Sequence, residues 1–92
     1  MLEEMLNALR EKFNERDVNI FIDRYGFETH KPRTLLSVAQ QYGIQREDVR
    51  QIEVKAFSYL KKKFKGREQE LQAFWDSWHK DFEDWKKRNS GN

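Results

Sequence analysis

The stretch Leu35-Leu36-Ser37-Val38-Ala39-Gln40-Gln41-Tyr42-Gly43-Ile44-Gln45-Arg46-Glu47-Asp48-Val49-Arg50-Gln51-Ile52-Glu53-Val54 decides the fold. Two helices that cross at a tight turn need a small residue at the crossing and a turn residue that tolerates positive φ. They also need apolar residues to lock the pair. Counted from Leu35, Ala39 takes the fifth position and Gly43 the ninth, while Val38, Tyr42, Ile44, Val49 and Ile52 fill the fourth, eighth, tenth, fifteenth and eighteenth. The stretch therefore reads as a helix-turn-helix: a short helix from about Leu35 to Tyr42, a stop at Gly43, and a longer helix starting near Gln45. A helical hairpin used only for packing is the alternative, but a random amphipathic pair seldom places Ala and Gly in these slots.

In such a unit the second helix enters the major groove, and its first residues reach base edges. Its polar face offers Gln45, Arg46, Glu47, Arg50, Gln51 and Lys55. Arg pairs with guanine O6 and N7, Gln with adenine N6 and N7, and Glu accepts from cytosine N4. Arg33, Thr34 and the Lys61–Lys65 cluster suit phosphates, which fix register without reading sequence. Any one of these side chains alone is an ordinary solvated helix residue. As a set on one face they point to double-stranded DNA.

The flanks are helical too. Leu2, Met5, Leu6, Leu9 and Phe13 mark one face of a first helix. Asn14 caps a second, with Asp17 in its first turn, an apolar stripe of Val18, Phe21, Ile22 and Tyr25, and Gly26 at its end. Residues 27–33 form a loop in which Pro32 disfavours helix at Lys31, and Thr34 caps the helix that begins at Leu35. On the long helix Val49, Ile52, Ala56, Phe57, Leu60 and Phe64 share a face, and Gly66 ends it after a run of lysines. A last helix from Arg67 to about Lys87 carries Leu71, Phe74, Trp75, Trp78, Phe82 and Trp85 on one side, and residues 89–92 should fray. The fold class is all-α: a helix-turn-helix bundle of four to five helices with a C-terminal aromatic amphipathic helix. It divides into a helix-turn-helix domain over residues 1–66 and a Trp-rich extension over 67–92.

Ninety-two residues make one small domain, and the seven Phe, three Tyr and three Trp supply the large side chains a short chain needs for a core. The net charge of +2 hides an uneven distribution: −3 over residues 1–30, +6 over 31–66 and −1 over 67–92. A polyanion would be met in the middle third. There is no cysteine, so no disulfide or thiolate metal site exists. No stretch approaches the roughly 18 apolar residues of a membrane span. His30 and His79 are the only histidines and are far apart in sequence. Ser77, His79 and Asp81 alternate along a helix and so diverge, and no Gly-rich phosphate loop is present. The chain is expected to be soluble and cytoplasmic, to bind no membrane, metal, cofactor or small-molecule substrate, and not to be an enzyme.

Arg24-Tyr25-Gly26, Pro32-Arg33-Thr34-Leu35, Val38-Ala39, Tyr42-Gly43-Ile44 and above all Val49-Arg50-Gln51-Ile52-Glu53-Val54-Lys55-Ala56-Phe57 resemble the fourth conserved region of bacterial sigma factors of the primary type. The similarity runs from about Phe13 to Leu60. It implies binding to the minus-35 promoter element and docking on the flap of the RNA polymerase β subunit. Arg46, Glu47, Arg50 and Gln51 would be base and backbone readers, supported by Arg33, Thr34 and Lys55. The chain departs from the family where Gln45 replaces a Ser or Thr cap, where Leu36 and Ser37 replace an acidic pair, and where Asp48 replaces a basic residue.

The resemblance does not extend to other sigma regions, so the chain reads as an excised domain, half of a split sigma, or a stand-alone regulator acting at a bacterial nucleoid or in a phage-infected bacterium. The alternative function is a protein-interaction module that binds polymerase or a sigma factor without reading bases. A Trp-rich stripe is first of all core material, expected to fold back on the first two helices. The sharper expectation is that Trp75, Trp78 and Trp85 dock on polymerase or a partner helix, such as a second sigma-like subunit; homodimerisation is a third use.

Overall fold

A computed structural model describes residues 1–88, apart from the side chains of residues 79, 81, 82 and 86. The expected fraying of residues 89–92, the place of Phe82 on the aromatic stripe and the orientation of His79 and Asp81 lie outside the described residues. Five helices succeed one another: α1 Leu2–Lys12, α2 Glu15–Tyr25, α3 Leu35–Tyr42, α4 Arg46–Lys63 and α5 Glu68–Arg88. Among the described residues there is no strand, as the helical spacing predicts.

Local chemistry sets most of the boundaries. Asn14 Oδ1 accepts the Asp17 N–H at 2.8 Å, and Thr34 Oγ1 accepts that of Ser37 at 3.0 Å, each satisfying an orphan donor of a first turn. Gly26 and Gly43 end α2 and α3 at φ 67°. After Gly43 the Ile44 N–H reaches back to Ala39 O at 3.0 Å, and after Gly26 the Phe27 N–H reaches Ile22 O at 3.1 Å. Both are the six-to-one bond of a Schellman end. One boundary differs from expectation: α4 stops at Lys63, short of Gly66, where Phe64 leaves the helical region at φ −100°, ψ 27° while its side chain stays buried. Gly66 then reverses the chain at φ 94°, and its N–H donates to Glu68 Oε1 at 2.8 Å. That bond holds the Glu68 carboxyl below its ordinary pKa.

The interior has two apolar clusters, and α2 takes part in both. Val18, Phe21, Ile22 and Tyr25 face Met5, Leu6, Ala8 and Leu9 of α1 and Ala56 and Leu60 of α4. Ile20, outside the stripe that the spacing marks, is fully buried with Val38, Ala39, Val49 and Ile52. The α3–turn–α4 unit covers the second side of α2, so this helix has two apolar faces rather than one. Every apolar position assigned to the helix-turn-helix lock is buried or half-buried.

The C-terminal helix folds back, as core material should, but not only onto the first two helices. The Trp75 ring meets Tyr25 and Phe57 edge-on at centroid distances of 5.2 and 4.6 Å. Trp78 lies 5.0 Å from Phe27 and donates its indole N–H to Tyr25 O at 3.0 Å. The face that receives α5 thus comprises α1, the end of α2, the loop after it, and α4. At the start of α5, Arg67 Nη1 pairs with Glu4 of α1 at 2.6 Å and Arg67 Nε with Glu70 at 2.5 Å.

Candidate nucleic-acid interface

The turn at Gly43 projects α4 so that Gln45, Arg46, Glu47, Arg50, Gln51 and Lys55 are all exposed. A helix advances roughly 100° per residue. On that count Arg46, Arg50, Glu47 and Gln51 span about 140° of the surface, and Lys55 lies about 40° beyond Gln51. These are the side chains the sequence assigns to base reading, and the fold brings them to one face. Arg46, Glu47 and Arg50 also border, with Leu35 and Gln45, an open recess of about 430 Å³ between the starts of α3 and α4.

Glu47 organises this face. Its Oε1 accepts the Gln51 side-chain amide at 3.0 Å, and its Oε2 lies 3.6 Å from Arg50 Nη1. The i, i+3 and i, i+4 spacings make these pairs neighbours on one helical surface. All three groups are solvated, so the contacts orient more than they stabilise. The Gln51 amide is held with its oxygen free, and the Arg50 guanidinium keeps donors available for a second acceptor.

The entry to α4 is better capped than a Gln at the cap position implies. Asp48 Oδ2 accepts the Gln45 N–H at 3.0 Å, the reciprocal half of a capping box. Asp48, at a site where the resembling family has a cation, therefore has a local structural role. The signal was legible, since an acid three residues into a helix reaches back to the cap; sequence reasoning passed over it.

Arg33 and Thr34 sit at the mouth of the unit, both half-buried. The Arg33 guanidinium lies along α3: Nη2 donates to Ser37 Oγ at 2.7 Å and Nη1 to Gln41 Oε1. Its carbonyl oxygen accepts from Arg24 Nη1 at 2.6 Å. Thr34 Oγ1 is occupied as an acceptor by the Ser37 N–H, which leaves its hydroxyl proton to donate outward. Lys61, Lys62, Lys63 and Lys65 are exposed at the far end of α4, about 25 Å along the helix from Arg46. Lys63 faces Glu11 at 3.4 Å.

Two polar contacts tie the α3–turn–α4 unit to α2, one to each of its helices, and sequence reasoning missed both. The Arg24 guanidinium meets Glu53 across the α2–α4 packing, with Nε 2.8 Å from Oε1. Burial raises the pKa of the Glu53 carboxyl, and the attraction of Arg24 opposes that rise. On α3 the Tyr42 hydroxyl donates to Asp23 Oδ2 of α2 at 2.6 Å. Burial, helped by that bond to the carboxylate, pushes the phenol up to about 12. Tyr25, more deeply placed, is pushed higher still by burial.

Trp75, Trp78 and Trp85, assigned from sequence to a partner, are each half-buried against the larger apolar cluster. Among the described residues no three His, Cys, Asp or Glu side chains come together as metal ligands, and no helix is long and apolar enough to cross a membrane.

Comparison with known proteins identifies the family of the helical unit. The family model described as Sigma-70, region 4 matches residues 11–62, more than half of the chain, from the end of α1 almost to the end of α4. The RNA polymerase sigma factor SigA of Bacillus sp is 36% identical over 61 residues, which cover 66% of this chain and 16% of that protein. The chain thus spans about a sixth of the length of this relative. The matched family is a non-enzymatic transcription-factor domain. With its helix-turn-helix in the slots counted from Leu35 and its charged face on α4, the chain belongs to the sigma-70 region 4 family.

Proposed function

We propose that this protein is a sequence-specific DNA-binding transcription factor that recognises a promoter element of the minus-35 type and docks on RNA polymerase through the β flap. One observation carries the reading: Arg46, Glu47, Arg50 and Gln51 stand exposed on one face of the helix that succeeds the Gly43 turn. In a major groove Arg50 pairs with guanine, Gln51 with adenine, and Glu47 accepts from a cytosine amine. Arg46 and Lys55 flank them as base or backbone contacts. Gln45, at the start of α4, adds a further polar group to that face, and Arg33 and Thr34 meet phosphates. Residues 1–66 form the reading domain, and residues 67–92 are an extension whose half-exposed Trp75, Trp78 and Trp85 take a second role on polymerase or a sigma-like subunit. The setting is the bacterial cytoplasm, at the nucleoid or in a phage-infected cell.

Glu47 and Asp48 at the tip of α4 favour a second reading, in which the same fold binds polymerase or a sigma factor without touching bases. Fluorescence anisotropy with a promoter fragment separates the two. DNA reading predicts that affinity falls steeply with salt, by about one log-log slope unit per phosphate contact. Arg50→Ala combined with Gln51→Ala should abolish binding while the helical circular-dichroism spectrum is retained. Binding unchanged by the double substitution overturns the assignment of the reading helix. A pull-down with the isolated β flap, using chains with and without residues 67–92, tests the polymerase contact and the extension.

A further inference from the structure

Val54 is 59% exposed, more than any other large apolar side chain among the described residues. It lies on α4, whose buried residues Val49, Ile52, Ala56 and Leu60 define the direction of the core. At roughly 100° per residue Val54 points about 155° away from the centre of that buried strip. Packing therefore gives no account of it, and a β-branched residue in an exposed helical position is unfavourable by propensity. A lone exposed apolar residue is ordinary on a protein surface. What distinguishes Val54 is its address: it lies four residues after Arg50 and three after Gln51, so both are its neighbours on the helix surface. By angle it falls between them, in the middle of the charged strip and one turn further on.

We propose that Val54 is a specificity-determining residue that contacts the 5-methyl group of a thymine. The inference rests on the DNA-reading function proposed above and adds to it a base preference set by an apolar contact. The thymine methyl is the one apolar group among the base edges of the major groove, and cytosine has only a hydrogen in its place. A turn of helix is about 5.4 Å and a base step about 3.4 Å, so Val54 reaches a base one to two steps from those met by Arg50 and Gln51. The polar side chains discriminate by paired hydrogen bonds; Val54 discriminates by covering a methyl that water would otherwise surround.

The test begins with selection of duplexes by the full chain from a randomised pool. A thymine should be enriched one or two positions from the base whose preference is lost in Arg50→Ala. Replacing that thymine by deoxyuridine removes only the methyl. It should weaken wild-type binding about fourfold, the value of one buried methyl-sized group, and should leave the affinity of Val54→Ser unchanged. The non-additivity identifies the pair. The thermal midpoint of Val54→Ser should match that of wild type, since the side chain is solvated. Equal losses in both proteins, no loss in wild type, or no thymine at that position overturns the role of Val54 while leaving DNA reading in place. Failure to enrich any duplex overturns both, and that outcome is distinct from the others.

Discussion

The Arg24 guanidinium and the Glu53 carboxylate lie 2.8 Å apart where α2 passes behind α4, and side-chain exposures of 8% and 13% leave both nearly without water. Arg24 also donates to Arg33 O at 2.6 Å, so one cation joins α2, α4 and the segment that leads into α3. A buried charge deprived of its partner is costly. Arg24→Ala should destabilise the protein by about 3 kcal/mol or more in urea denaturation. The Glu53 carboxyl has a raised pKa in the fold. Its contribution to stability is therefore greatest below the unfolded value and is lost as pH rises through the folded one. Part of the Arg24→Ala deficit should consequently be recovered when the measurement is repeated at pH 5 instead of pH 7. An equal deficit at both would show that Glu53 is not the group left stranded.

The Tyr42–Asp23 bond gives an alkaline signature. With the phenol raised to about 12, the contribution of Tyr42 is intact below the ordinary value near 10 and is lost between there and 12. Tyr42→Phe should cost about 1 kcal/mol at pH 7, the worth of one such bond. It should also make the fall in melting temperature between pH 9 and pH 11 shallower than in wild type. Tyr25 is also raised, so part of that fall should persist. Melting curves recorded by circular dichroism measure both effects.

The two helix-ending glycines share φ 67° but should respond differently to alanine. A Cβ at Gly43 meets nothing within 4 Å, so Gly43→Ala carries only the left-handed backbone cost of about 1 kcal/mol. At Gly26 the same atom would lie 2.7 Å from Lys31 C and Pro32 N, which are backbone atoms that cannot turn aside. Gly26→Ala should cost at least about 3 kcal/mol, strain and overpacking together. Denaturation of the two variants in parallel, with Gly43→Ala the milder, is the expected order.

Trp78 supplies a side-chain hydrogen bond between α5 and the end of α2. Trp78→Phe keeps an aromatic ring against Phe27 but removes the donor to Tyr25 O, and should cost about 1 kcal/mol. Trp78→Leu should cost more by losing the ring contact at 5.0 Å as well. Equal stability of the two variants would show that the ring contact with Phe27 adds nothing to the lost hydrogen bond.

Most of the architecture was legible because it is encoded over short spans. Asn14, Thr34, Gly26 and Gly43 act on bonds within five residues, and the lock of the helix-turn-helix is an arithmetic of single positions. The exposure of Arg46, Glu47, Arg50 and Gln51 was also legible, since it is dictated by the spacing of the buried side of α4. What escaped depends on partners distant in the chain. Ile20 is off the stripe of α2 and becomes core only because α3 and α4 cover that flank. Arg24 and Glu53 look like surface charges until α2 and α4 cross, and nothing near Tyr42 in sequence announces Asp23, nineteen residues earlier. Arg33 was read as a phosphate contact from its type; its binding to Ser37 and Gln41 is a consequence of how the loop enters α3.

Because α2 is a wall common to both apolar clusters, loosening one should strip cover from the other. Melting the small cluster strips Ile20, and melting the large one strips Phe21 beside it on the same turn. The backbone amides in the middle of α2 should then exchange with solvent only through whole-molecule opening. A substitution that loosens Val38, Val49 or Ile52 should therefore also lower the protection of the amides around Phe21.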